Sequence, residues 1–240
     1  MTRHDGRAPH DLRPITFQTG YTQWAEGSVL ARFGHTHVLC NATVETNLPA
    51  WLRYSDKKQG WLTAEYAMLP RSTHQRTQRE QRWPKGRTQE ISRLIGRSLR
   101  MGLDLVALGQ RQVIVDCDVL QADGGTRTAA ICGGWLAVQL ALRPLVTAGE
   151  LPEAVFTHQI TAVSVGVVDG QPLLDLNYAE DVAAEVDLNV VTTGAGALIE
   201  LQGTAEKAPF PRPQLDMLLD LATGGIAQLA AAQLAALDGS

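Results

Sequence analysis

Asp123-Gly124-Gly125-Thr126-Arg127 joins two flexible backbone positions to a carboxylate, a hydroxyl and a guanidinium. Residues 113–120 before it alternate in a way that predicts a strand, and residues 129–145 after it predict a helix beginning near Thr126. A helix start leaves its first backbone N–H groups unpaired and carries a partial positive charge. Glycines let an anion approach those donors, Thr126 adds a hydroxyl, and Arg127 adds a forked cation. Such a loop suits phosphate, either free or on a nucleotide. An ordinary capped turn, with Asp123 as cap and Arg127 paired to an acid, uses the same residues. The G-x-x-x-x-G-K-[ST] pattern is absent, which excludes a Walker loop.

A second constellation lies in "LDLNYAEDVAAEVDLNVV", residues 173–190, where Asp175, Glu180, Asp181, Glu185 and Asp187 crowd together. Carboxylates in such a run commonly form a solvated loop. Two of them facing one pocket could bind Mg²⁺, or one could give a proton to a leaving group. His35 and His37, two apart on an expected strand, have no third ligand nearby and read as structural. Cys40, Cys117 and Cys132 form no C-x-x-C pair, so zinc is not expected and a reducing cytoplasm is the simplest compartment. Neither a His-Glu-x-x-His motif nor a nucleophile elbow occurs.

The elements that must position these residues follow from pattern. Residues 27–34 and 37–44 predict a hairpin, 48–58 a loop, and 60–70 a short apolar stretch. Residues 71–87 read as an exposed loop, with a helix from Thr88 whose Arg93, Arg97 and Arg100 share a face. Residues 160–168 and 173–176 flank the turn Asp169-Gly170, residues 177–185 read as a polar loop, and strands follow at 186–193 and 197–203. A helix closes the chain over residues 213–237, with Gly224-Gly225 expected to loosen or kink it. Most of the five tryptophans read as core residues, with Trp83 also placed to stack a base. Grouped strands interrupted by helices argue an α+β fold with mixed sheets.

Charge sharpens the picture. The chain of 240 residues carries a net charge of −4, yet residues 71–100 hold nine basic residues against Glu80 and Glu90. A solvated loop can look like this. Focused positive charge also attracts polyanions whatever the total. The polar start lacks the apolar stretch of a signal peptide, and no run of about 18 apolar residues predicts a membrane span.

Three stretches, "AEYAMLPRSTHQR", "RLIGRSLR" and "CDVLQADGGTRTAA", make the chain resemble the ribonuclease PH family, and "DGRAPHDLRPI" and "LDLNYAEDVAAEVDLNVV" extend the match over nearly its whole length. The resemblance implies a ribosomal protein S5 domain 2-like fold of βαβα units. It implies one domain over residues 1–240, with an N-terminal part at 11–145 and a C-terminal part at 158–237. It implies a phosphate-dependent 3′-to-5′ exoribonuclease that trims transfer RNA precursors, with ribosomal RNA a further candidate. Nucleoside 5′-diphosphates would be released reversibly, in a cytoplasmic homohexamer built as a trimer of dimers. By the same resemblance Arg87, Gly125, Thr126 and Arg127 would bind phosphate. Asp181 and Asp187 would be the active-site carboxylates linked to Mg²⁺ or proton transfer, and Arg71, Arg76 and Arg79 would guide the RNA 3′ end. Cys132, Leu188 and His4 depart from the usual pattern without touching these positions. The rival readings are a non-catalytic RNA-binding ring subunit and a nucleotide-binding enzyme unrelated to RNA.

Overall fold

The computed structural model describes residues 3–79 and 86–239. Alternation between buried and open positions lays down β1 (Ile15–Thr19), β2 (Gly27–Phe33) and β3 (Thr36–Glu45) as an antiparallel meander. The expected loop at 48–58 contains a short helix, α1 (Ala50–Arg53), begun by the turn at Pro49. The apolar stretch after Gly60 becomes β4 (Trp61–Met68), and α2 (Gly86–Arg100) carries the chain over to β5 (Gln112–Gln121). This crossover makes β4 and β5 parallel, in a sheet of order β1-β2-β3-β5-β4. Helix α2 starts two residues before the expected Thr88, so Arg87 belongs to its first turn.

The central helix α3 (Thr126–Thr147) follows, and the second sheet comprises β6 (Ile160–Val168), β7 (Gln171–Leu174), β8 (Val186–Thr193) and β9 (Leu198–Ala205). Its order is β7-β6-β8-β9 and it is antiparallel throughout, so only the first sheet is mixed. Asp169 and Gly170 both take positive φ, the geometry that an Asp-Gly hairpin turn requires. The expected polar loop at 177–185 instead holds α4 (Tyr178–Ala183). Asn177 and Glu180 close a capping box there, a signal that the sequence carries as Asn-x-x-Glu. Helix α5 (Arg212–Asp238) passes Gly224-Gly225 without interruption. A Cβ on Gly225 would lie 2.8 Å from Leu174 Cδ1, so this glycine permits close packing on β7 rather than a kink.

Helix α3 lies against β2, β3 and β5 on one side and β6 on the other, and one hydrophobic core runs through both sheets. By length and composition α3 and α5 could each cross a membrane, which the sequence reading did not foresee. Helix α3 is the core helix here, buried almost all round from Thr128 to Leu142. Trp135 is buried as expected, but Trp24 and Trp51 are 87% and 58% exposed. Trp83 lies outside the described residues.

The helix sits low on the first sheet because the contact residues are small. A Cβ on Gly27 would fall 1.9 Å from the Ala137 carbonyl oxygen. Gly27→Ala should therefore cost about 3 kcal/mol or more by chemical denaturation, since backbone on both sides would have to move. A loss within about 0.5 kcal/mol would contradict this packing.

Candidate active site

The loop between β5 and α3 turns through two consecutive left-handed residues, Gly124 (φ 75°) and Gly125 (φ 65°). Side chains disfavour this backbone, and a Cβ on Gly124 would also lie 2.6 Å from the Leu176 carbonyl oxygen. Gly125 caps α3, and no side chain among the described residues caps the helix. The Thr126 and Arg127 amides thus head a helix that offers them no acceptor. Asp123 is not the cap. Its carboxylate accepts from the Tyr178 amide at 3.3 Å, across to α4.

Arg127 is paired to an acid, yet it also faces a cavity. Its Nη2 donates to Glu90 Oε2 at 2.9 Å, and Gln202 Nε2 donates to Glu90 Oε1 at 2.8 Å. Burial alone would push the Glu90 carboxyl up, but these two partners outweigh it and hold it low. Arg127 Nε is buried without a partner among the described residues. Among the described residues, no salt bridge or hydrogen bond engages the Arg87 guanidinium at the start of α2.

Arg87 and the loop from Gly124 to Arg127 line a cavity of about 630 Å³, together with Asp181 and Asp187. The acidic run therefore divides. Asp175, fully buried, accepts from Arg13 through its backbone N, Nε and Nη2 at 2.8, 2.9 and 2.7 Å. Glu180 is held by Arg3 and by the capping box. Glu185 is bound to the Gly170 amide, away from the cavity. Only Asp181, on α4, and Asp187, on β8, face Arg87 and the glycine loop.

The two carboxylates are electrostatically uncomfortable. Partial burial pushes Asp187 up, and the nearby Asp181 and Glu206 push it further. Asp181 stays open to solvent at the rim, but protein packed round its carboxyl pushes it up, with Arg87 and Arg127 pulling back. Among the described residues, Asp187 Oδ1 is buried with no hydrogen-bond partner. Among the described residues no group of three or more His, Cys, Asp or Glu side chains could hold a metal ion. Two carboxylates with an unpartnered oxygen do fit a hard cation that keeps several waters. His35 lies in the turn before β3 and His37 on β3, where burial and then Arg32 lower the His37 imidazole.

The basic loop borders the same cavity. Thr73, His74, Gln75 and Thr77 line it, none of them anticipated from sequence, as are Tyr178 and Asn189. The Ala122 amide donates to Ser72 O at 2.8 Å, which ties the basic loop to the glycine loop. Arg71, Arg76 and Arg79 are exposed, with Arg71 Nη1 donating to His74 O at 3.0 Å. Arg82 and Lys85 lie outside the described residues.

Because folding raises the Asp187 carboxyl, its ionised form opposes folding at every pH above the raised value. Below the ordinary carboxylate value both states are neutral and the effect vanishes. Asp187→Asn should melt higher than the parent at about pH 8 in metal-free buffer, with the gain shrinking toward about pH 3. A variant that melts lower than the parent across that range would contradict the strain.

Comparison with known proteins identifies the family. The 3′ exoribonuclease family model matches through its domain 1 over residues 11–144 and its domain 2 over residues 158–225. Ribonuclease PH of Acaryochloris marina is 57% identical over 235 residues, 98% of each chain. Two solved structures share the fold. Rice Rrp46 has a TM-score of 0.79 at 18% identity, covering 98% of this chain and 100% of that one. The Archaeoglobus fulgidus exosome with RNA bound to its active site has 0.77 at 22%, covering 95% and 91%. On the matches in sequence and over its full length, the chain belongs to the ribonuclease PH family of 3′ exoribonucleases.

Proposed function

We propose that this protein is a phosphate-dependent 3′-to-5′ exoribonuclease acting on transfer RNA precursors, with ribosomal RNA as a second substrate class. The relatives carry the activity. One observation supports its placement: Arg87, the open start of α3 and Arg127 face Asp181 and Asp187 across one cavity. Phosphate held by Arg87, Gly125, Thr126 and Arg127 attacks the phosphorus of the last phosphodiester. The bond to the 3′-oxygen of the preceding nucleotide breaks, and the terminal nucleotide leaves as a nucleoside 5′-diphosphate.

Attacking dianion and diester are both negative, so the barrier is chiefly electrostatic. Two guanidiniums and a helix start supply fixed positive charge that needs no reorganisation during the reaction. The departing 3′-oxygen needs a proton, and Asp181 or Asp187 is the candidate donor, since both line the cavity and burial pushes both carboxyls up. In their ionised form the same carboxylates, Asp181 and Asp187, would instead hold Mg²⁺, which would supply further positive charge beside the transferring phosphoryl group. A phosphate ester is exchanged for an anhydride, so excess diphosphate should drive nucleotide addition. Arg71, Arg76 and Arg79 grip single-stranded RNA through its backbone.

A homohexamer, a trimer of dimers, fits surfaces that a lone chain leaves open. Trp24, Trp51 and Tyr54 are 87%, 58% and 85% exposed. Three free, buried cysteines suit a cytoplasmic setting.

End-labelled RNA with a 3′ trailer should yield nucleoside diphosphates only when phosphate is present. Monophosphates in phosphate-free buffer would make the enzyme a hydrolase. Arg127→Ala should raise the KM for phosphate roughly tenfold to a hundredfold while leaving RNA binding little changed. An unaltered phosphate KM would remove Arg127, and with it the 124–127 loop, from the phosphate site.

A further inference from the structure

Thr36 is fully buried at the first position of β3 and does not line the cavity. Its hydroxyl nevertheless makes two bonds to the glycine loop. It accepts from the Asp123 amide at 2.9 Å and donates to the Gly124 carbonyl oxygen at 2.6 Å. Arg13, locked on Asp175, extends the same grip by donating from Nη1 to the Asp123 carbonyl oxygen at 2.5 Å. The two grips share one anchorage. The Gly34 amide donates to Pro14 O at 2.9 Å, which fastens the hairpin before Thr36 to the strand-entry segment after Arg13.

The consequence follows from the planarity of the peptide unit. In a trans peptide the carbonyl of one residue and the amide of the next point in opposite directions. Turning the Gly124 carbonyl toward Thr36 therefore aims the Gly125 amide the other way. Turning the Asp123 carbonyl toward Arg13 does the same for the Gly124 amide. Glycines on both sides of the 124–125 peptide give it no Cβ to resist rotation, so sterics alone do not fix its direction. A flipped unit would present a carbonyl oxygen where an anion must sit.

We propose that Thr36, together with Arg13, is a positioning residue for phosphate. Its buried hydroxyl pins the loop peptides from behind, so that the Gly124 and Gly125 amides, just ahead of α3, face the attacking phosphate. This rests on the reading that the 124–127 loop holds phosphate. Thr36 touches neither phosphate nor RNA, and its effect belongs to the phosphate step alone.

Thr36→Val keeps the shape and removes the hydroxyl, whereas Thr36→Ser keeps the hydroxyl. Steady-state phosphorolysis is measured with phosphate varied at saturating RNA, then with RNA varied at saturating phosphate. Thr36→Val should raise the phosphate KM roughly three- to tenfold, with the RNA KM and the saturated rate within about twofold of the parent. Thr36→Ser should restore the phosphate KM. The proposal is overturned if Thr36→Val leaves the phosphate KM unchanged. It is equally overturned if both KM values and the rate deteriorate together, or if only the rate falls, since a merely structural role gives those results. Should Thr36→Val fail to fold, Thr36→Ala takes its place. It removes the same hydroxyl without setting a methyl group against the Gly124 carbonyl oxygen, so the same selective rise is expected and an unchanged phosphate KM overturns the proposal. Arg127→Ala in the same assay separates the two readings. If its phosphate KM is normal, the loop is not the phosphate site and both readings fall; if it rises and Thr36→Val does not, only the positioning role falls.

Discussion

Asp175 is an ionisable residue with no exposure to water, held at a positive φ of 53° that a side chain disfavours. A lone buried carboxylate would be ruinous, so the fold must bring guanidinium groups to it. Arg13 satisfies it with three donors, and Arg7 Nη1 lies 3.6 Å from Oδ2. The backbone oxygen of Asp175 accepts from Arg3 Nη2 and Arg7 Nη1, both at 3.0 Å. Arg3 in turn binds Glu180, whose carboxylate also accepts from the Asn177 amide in the capping box of α4. One chain of charge-assisted bonds therefore runs from the glycine loop, through the N-terminal segment, to the helix that carries Asp181. Both sides of the cavity are set by it. Removing one member would leave the rest buried and unpaired, which costs far more than the pair contributes.

The cavity itself is arranged in the opposite spirit. Among the described residues, Arg127 Nε and Asp187 Oδ1 are buried without partners, and Asp181 and Asp187 repel one another. Partners that would satisfy these groups within the chain would also compete with the anion and the proton they serve. Such sites trade stability for preorganised charge. The Glu90 pairing with Arg127 is a partial exception. It occupies Nη2 from the side of α2 and β9, which fixes the guanidinium plane and leaves the rest of the fork facing the cavity.

Strand alternation, the Asp-Gly hairpin and the glycine loop were legible in the sequence because each is a local preference of the backbone. The division among five neighbouring acids was legible only through the family resemblance, which singled out Asp181 and Asp187, and not from the residues themselves. Asp175 and Glu180 resemble Asp181 and Asp187 in type and spacing, and differ only in partners about 160 to 180 residues away. Helix α4 did leave a local mark, the Asn177-to-Glu180 capping box, hidden in a stretch whose polarity suggested a loop. Trp24 and Trp51 misled because aromatic type predicts burial somewhere, including against another chain. Thr36 gave no signal, since a hydroxyl between two histidines says nothing about a loop 87 residues further on.

A positioned loop is useful only if the helix behind it cannot move. Helix α3 reaches that condition through absence of bulk. Ala129, Ala130, Gly133, Gly134 and Ala137 let it sink onto the first sheet, where a Cβ on Gly133 would meet Cys40 Sγ at 2.8 Å and Ala31 Cβ at 2.9 Å. Larger side chains there would hold the helix axis away from β2 and β3, and its first turn would lift with it. Close packing fixes the helix in depth, Tyr66 Oη beside Thr126 Oγ1 at 2.8 Å steadies its first residue, and the ion network fixes the turn that feeds it. The direction of a few backbone amides is thus set by the core of the protein, where the small residues of one helix decide how closely an anion can be met.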